Sequence, residues 1–462
     1  MLTIYYSNQL DSLKTMLVTL QRVQPLTDPF ASEQILVQSP GMAQWLKLEL
    51  AQAFGIAANV EFPLPASFIW EMFTRVLPDM PSVSPFNKGA MSWQLMVLLP
   101  GLLSRPAFAP LASYLSPNGE EPEQVRLWQL CEQIADLFDQ YLVYRPDWIA
   151  SWEASGGLAV ELDGVEGQAW QPELWRELHD RILARAPSGY HRANLYADFI
   201  AALSSGAQLP APLPARIFVF GISALPPRYV EALHALGQRI DVHLFVTNPC
   251  QHYWGDILDR NTLARLQAKM QTKLKPGTLL ESYQGPVNPL LASMGKQGRD
   301  YLQQLWALEA NEISAFVDPL EEQENLLAYI QHDILQLAER GAVPSVSASA
   351  SASALSSGQK QPIALEDSSL QIHACHSAMR EVEVLHDRLL ALFDGDPTLT
   401  PKDVVVMMPD VNAYTPAIQA VFGAKGLIPF SISDRSASQG NPILLSLLAL
   451  LRLPDSRLGA AE

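Results

Sequence analysis

Three groups of residues in this chain have types and spacings that could do chemistry, and the first is the stretch "ILVQSPGMAQWLK", Ile35 to Lys47. A buried run, a glycine-containing turn and an amphipathic helix follow one another there, which is the layout of a nucleotide-binding loop in a parallel α/β protein. A working loop reads G-x-x-x-x-G-K-[ST]: glycines let backbone N–H groups close on phosphates, lysine neutralises charge, and the hydroxyl holds Mg²⁺. Counted from Gly41, the last three positions fall on Leu46, Lys47 and Leu48, so only the lysine matches. Leucines stand where backbone and metal must come close. An ordinary strand–turn–helix is expected, with an active P-loop ATPase carrying a degenerate loop as the alternative. A second motor element is also missing, because Gly221 and Ile222 follow Phe220 in "RIFVFGISALPP" where acidic Mg²⁺ ligands would stand.

The second group is soft ligands. His373-Ala374-Cys375-His376 and Cys250-Gln251-His252 are two close-spaced sets, and structural zinc usually takes four ligands from two such pairs. They are expected at strand ends in different domains, so no metal is assigned to them. Asp136 and Asp139 share a helix face at i,i+3 and could bind Mg²⁺; without a third acid they read as a solvated face. H-E-x-x-H, G-x-S-x-G and the Gly-rich dinucleotide fingerprint are all absent from the sequence.

The third group pairs arginines with aromatics. Arg145 follows "YLVY", Arg192 sits in "GYHRANLY", and Trp70 ends "FPLPASFIW". Single-strand recognition uses such neighbours, with rings stacking on bases and guanidinium groups contacting phosphate or base edges. Gln38 and Gln44 flank the opening turn, and amides of that kind can read base edges. Taken alone, these residues favour plainer roles in cores and helix caps.

The elements that must position these groups follow from pattern. Apolar runs at Ile35–Val37, Ile217–Phe220 and Val242–Val246 alternate with long helical patterns, which argues for a parallel sheet with crossover helices. Between the first run and the later two, residues 85–190 read as an almost purely helical subdomain inserted into the α/β domain. "VPSVSASASASALSS", Val343 to Ser357, alternates small residues and reads as a flexible linker. After it, "SLQIHACHS" predicts a strand, "AMREVEVLHDRLLAL" a helix, and "DVVVMMPD" a buried strand. A second α/β domain is expected to begin there, left incomplete at Glu462, as in a fragment of a longer chain.

With 462 residues, a prior of roughly 150 per domain allows about three folding units. The net charge of −17 argues against nonspecific coating of nucleic acid, which needs a broad basic surface, though not against a local basic groove. Three scattered cysteines make no disulfide framework, no signal peptide is visible, and the apolar run Ile443–Leu451 is too short for a bilayer. A cytoplasmic protein without membrane contact is expected.

Several stretches resemble the gamma-subunit family of bacterial exodeoxyribonuclease V, the RecC family. They are "ILVQSPGMAQWLKLELAQAFGIAANVEFPLPASFIWEMF", "ADLFDQYLVYRPDW", "HRANLY", "FGISALPP", "TNPCQHYWGDI", "NPLLASMGKQGRDY" and "HSAMREVEVLHDRLLA", in one consistent order across most of the chain. The resemblance implies an α/β fold of the superfamily 1 helicase type that has lost its motor residues. Residues 1–340 would be the first helicase-like domain, with the helical insertion at about 85–190. Residues 341–366 would be the linker and 367–462 the start of the second domain, where Pro409 takes the place of a phosphate-sensing arginine.

The resemblance further implies no cofactor in this chain. ATP and Mg²⁺ would be used by partner subunits, a RecB-like helicase–nuclease and a RecD-like helicase, acting on double-strand DNA ends and single-stranded DNA. Family members use the dead motor's channel to recognise Chi, the sequence that switches the complex from degradation to recombination. By motif, the recognition residues would be Gln38, Gln44, Leu64, Trp70, Asp136, Leu137, Asp139, Gln140, Arg145 and Arg192. Pro40 departs from the family pattern, which has a hydroxyl residue there, and this leaves the sequence recognised open. The strand-splitting element and the nuclease-like C-terminal domain of the family would lie beyond Glu462.

Overall fold

Strands that are apolar on both faces belong in a parallel sheet covered by helices on each side, since such strands read as continuous hydrophobic runs. The computed structural model of the chain places the three predicted runs in β2 (Glu33–Leu36), β4 (Arg216–Phe220) and β5 (Asp241–Thr247). The residues described are 1–28, 30–78, 80–81, 83–116, 124–154, 169–185, 190–206, 208–258, 262, 265, 288–308, 310–340, 361–424, 426–432 and 442–453.

Three strands not anticipated from sequence join them: β1 (Leu2–Ser7), β3 (Val60–Glu61) and β6 (Asn311–Ser314). The sheet runs β3-β2-β4-β5-β1-β6 with every pairing parallel. β1 is buried throughout and pairs with β5 from Leu2↔Val242 to Ser7↔Thr247. At the start of β4, the guanidinium of the buried Arg216 grips the Glu33 carboxylate of β2 with Nε and Nη2 and fixes those two strands in register.

Side-chain alternation divides the sheet's cover. Tyr5, Ile35, Val37, Phe218, Phe220 and Phe245 face α1 (Leu10–Val23) and α2 (Pro40–Phe54), meeting Leu13, Leu17, Leu46 and Leu50. Ile4, Leu36, Val219 and Leu244 face the other way, where α3 (Pro65–Val76) contributes Phe68, Ile69, Met72 and Phe73. Between β3 and β4 the chain makes α4 (Lys88–Leu102), α5 (Ala109–Leu115), α6 (Gln124–Tyr144), α7 (Pro146–Glu153) and α8 (Trp170–Leu183). This block has its own core, built on Phe86, Phe138, Trp152 and Trp175. The reason lies in α6, whose Leu127, Cys131, Ile134, Phe138 and Leu142 recur at three- and four-residue spacing and bury one stripe. Then α9 (Arg192–Ser204) and α10 (Pro227–Leu236) return to the sheet's second face.

The chain divides into two compact units, Met1–Ala364 and Leu365–Glu462. Most of the predicted linker, 341–360, lies outside the described residues. In the second unit the helix Ala378–Gly395 is capped by Ser377, whose Oγ accepts the Arg380 N–H at 3.3 Å, and it packs through Val382 and Leu389 against Ala417, Val421, Phe422 and Ile428. Two predictions fail here. Neither "SLQIHACHS" nor "DVVVMMPD" is a strand, and the second is not buried: Val405 is 79% and Met407 89% exposed. The physical reason is that a strand exists only by its ladder, and neither segment has a ladder partner among the described residues. Apolar pattern states a demand for burial without supplying the neighbour.

No single helix among the described residues is long and apolar enough to cross a membrane.

Candidate nucleic-acid interface

The opening turn is placed by strand pairing. β2 and β3 run parallel with Glu33↔Val60 and Gln34↔Glu61 in register, so the segments that follow them emerge side by side at the carboxyl edge of the sheet. The Val37 N–H donates to the Pro63 carbonyl at 3.3 Å and ties the two together. Between them lies a cavity of about 310 Å³ lined by Val37, Ser39, Pro40, Gln44, Lys47 and Leu64, among others. The carboxyl edge is where open α/β sheets take ligands. Gln44 and Leu64, from separate motifs, thus share one cavity, and the exposed Gln38 lies in the turn at its margin.

The local geometry differs from a phosphate cradle. Ser39 is the N-cap of α2, with φ −148° and ψ 156°, and its Oγ accepts the Met42 N–H at 3.3 Å. Only Val37–Ser39 separate β2 from the helix, too short a span for a glycine-rich loop that wraps phosphate, and Pro40 at the first helical position has no N–H to give. Leu46 is fully buried against the sheet while Leu48 is 60% exposed. Only Lys47 of the loop-like positions reaches the cavity wall. At the end of β4, Gly221 has φ +63°, and a Cβ there would sit 3.3 Å from Met42 Cε. Glycine suits both the left-handed backbone and the close approach to α2.

The second group of predicted residues lies along α6. Asp136 carries Lys88 of α4 at 2.8 Å on one carboxylate oxygen and accepts from Gln140 Nε2 at 3.0 Å on the other. The Lys88 hydrogen bond holds the Asp136 carboxyl below its ordinary pKa. Leu137 and Asp139 are half-buried beside it. Arg145 follows the helix as the N-cap of α7, and its Nε and Nη2 donate to the two Asp147 oxygens at 3.1 and 2.8 Å. The same guanidinium lies 3.6 Å from the Trp148 ring centroid. Asp147 occupies two of the five guanidinium N–H donors and leaves the rest for an outside acceptor.

Trp70 lies on α3 and meets Phe73 edge-on at 6.2 Å. Arg192 is the first residue of α9, and its side chain lies outside the described residues. α9 links the other elements: Tyr196 and Phe199 pack edge-on against Phe73 of α3 at 5.1 and 4.9 Å, and α9 also lies against α6. So the structure brings Gln44 and Leu64 to one cavity and leaves Gln38 exposed in the adjoining turn, sets Asp136, Leu137, Asp139, Gln140 and Arg145 along a second element, and joins α3 and α6 through α9.

Sequence reading missed Lys88, the partner of Asp136. Nothing in the sequence connects them, because the pair exists only where α4 crosses α6. Trp148 beneath Arg145 was readable, since "YRPDW" puts the ring three residues on. Of the soft ligands, Cys250 is fully buried; its thiol donates to the Leu335 carbonyl at 3.4 Å, and burial pushes its pKa up to about 11.

Comparison with known proteins gives a consistent result. The family model described as "RecC, N-terminal domain" matches residues 2–337. The chain is 50% identical to the RecBCD enzyme subunit RecC of Escherichia coli K12 over 476 residues, covering 99% of this chain and 41% of that protein. Identity is 43% to the subunit of the same name from Haemophilus influenzae, covering all of this chain and 43% of that protein. For the Mycolicibacterium smegmatis counterpart it is 32%, covering 95% and 38%. The chain thus spans about two fifths of the length of these curated relatives.

Proposed function

The chain belongs to the RecC family, and from that premise we propose that it is the DNA-reading, noncatalytic part of an exodeoxyribonuclease V-type helicase–nuclease. In this reading residues 1–340 are a superfamily 1 helicase-like domain that no longer runs on ATP, carrying a helical insertion at about 85–190. Residues 341–366 link it to a second such domain starting at 367. RecB-like and RecD-like partners in the cytoplasm hydrolyse ATP with Mg²⁺ as their cofactor, during recombinational repair of double-strand breaks.

The observation that carries the reading is the fate of the loop after β2. Its helix starts at Pro40 without a cradle, and the space at the strand ends is walled by an amide, a lysine and an apolar side chain, Gln44, Lys47 and Leu64. Amides and apolar surfaces suit unstacked bases rather than a triphosphate. An acidic protein can do this, because base contacts carry the specificity while a few arginines such as Arg145 and Arg192 meet the backbone.

The test is a degradation assay with the assembled helicase–nuclease on DNA bearing candidate Chi sequences, comparing the native subunit with Gln44→Ala plus Arg192→Ala. The expected outcome is normal unwinding with the switch from degradation lost. If the variant switches as the native complex does, these residues do not read DNA and the proposal contracts to a scaffold.

A further inference from the structure

The helical block contains a second cluster, none of whose ligands is among the residues assigned to DNA. Glu153 at the end of α7, His179 in α8 and His191, the N-cap of α9, turn one ligand atom each toward a common point, all within 4.8 Å of one another. His191 Nε2 lies 2.8 Å and His179 Nε2 3.8 Å from the same oxygen, Glu153 Oε1. We propose that these three side chains form a binding site for a transition-metal dication of the zinc class, which pins α7, α8 and α9 together.

Geometry supports this first. Two ligands of a tetrahedral zinc ion at about 2.0–2.1 Å stand roughly 3.4 Å apart, and the two observed separations bracket that figure. His179 is too far from Glu153 for a hydrogen bond, yet it converges on the same oxygen, as ligands of one ion do. The chemistry is of the right kind, since two imidazoles and a carboxylate are a zinc donor set with one position left for water.

The surroundings also resemble a built site. His191 is 1% exposed, and its ring meets Phe86 and Trp175 edge-on at 5.2 and 5.9 Å. Glu153 and His179 keep 19% and 17% side-chain exposure, which gives an ion a route in. Trp175 Nε1–H donates to Glu153 Oε1 at 3.0 Å, the outer hydrogen bond that orients a ligating carboxylate. The ligands come from three helices without motif spacing, so no sequence pattern marks them. An ion here would fix the start of α9, and with it the backbone position of Arg192.

The experiment is titration of the chelator-treated chain with Zn²⁺ by calorimetry, and with Co²⁺ by visible absorption, repeated on His179→Gln and Glu153→Gln. The expected result is one ion per chain and a four-coordinate Co²⁺ spectrum without a thiolate charge-transfer band. Each variant should lose more affinity than the roughly 10–100-fold that removing an outer-sphere partner costs. Absence of binding to the native chain, a thiolate band, or undiminished affinity in folded variants would each overturn the proposal. If a variant fails to fold, the native Co²⁺ spectrum still decides between this site and the cysteines.

Discussion

Truncating Gln44 to alanine should separate DNA reading from folding. Gln44 is exposed on the first turns of α2, while the residues that hold that helix to the sheet are Leu46 and Leu50, both essentially buried. Alanine is a slightly better helix former than glutamine, so the substitution should leave stability within about 0.5 kcal/mol. A glutamine amide on a base edge is worth about 1–3 kcal/mol of discrimination. At about 1.4 kcal/mol per tenfold, that is roughly a 5- to 150-fold loss of preference for the recognised sequence over its variants. Phosphate contacts are untouched, so the dependence of affinity on salt should keep its slope. Fluorescence anisotropy with a panel of single-stranded oligonucleotides at two salt concentrations, alongside a thermal melt, measures all three quantities. A uniform loss across sequences accompanied by a lower Tm would refute the reasoning, because Gln44 would then be acting through the fold. An unchanged preference would refute it as well.

Other consequences concern the scaffold and nucleotide binding. Arg216→Met leaves the Glu33 carboxylate without its partner at the start of β4, and removing one member of a buried ion pair costs about 3–5 kcal/mol; denaturant unfolding should show most of that loss recovered on adding Glu33→Gln. His243, on β5, is buried and its pKa falls from 6.5 to about 4, with desolvation the main cause. The unfolded chain therefore binds more protons in that window, so stability is full above pH 6.5 and declines as pH falls toward 4. His243→Phe should flatten this part of the curve, and an unaltered curve would assign the pH dependence to other groups. Lys47→Ala should not change nucleotide binding, measured with a fluorescent ATP analogue; a binding signal in the native chain that the substitution abolishes would revive the ATPase alternative.

How far the fold was readable depended on burial. β2, β4 and β5 were found because central parallel strands are apolar on both faces. β1 carries the same signature in "LTIYYS", yet a six-residue run does not announce that it will lie between the last two strands of the sheet. "DVVVMMPD" was equally apolar and stayed exposed, since no ladder partner exists for it among the described residues. The site divides likewise. Gln38, Gln44 and Arg145 were legible as types, whereas the Lys88–Asp136 pair was not, because helix crossing created it.

The sequence by itself determined the absence of the phosphate-binding pattern. That absence lies in residue identity, proline at 40 and leucines at 46 and 48, and no packing supplies a missing hydroxyl or backbone donor. It also carried the family, through order and identity of motifs. The tertiary structure alone decided what the turn faces: Leu64 stands across from Gln44 because β2 and β3 pair in parallel and end together. Likewise Glu153, His179 and His191 meet only because α7 packs against both α8 and α9. Local residue choice fixes which interactions a side chain can make, and long-range pairing fixes which partner it meets.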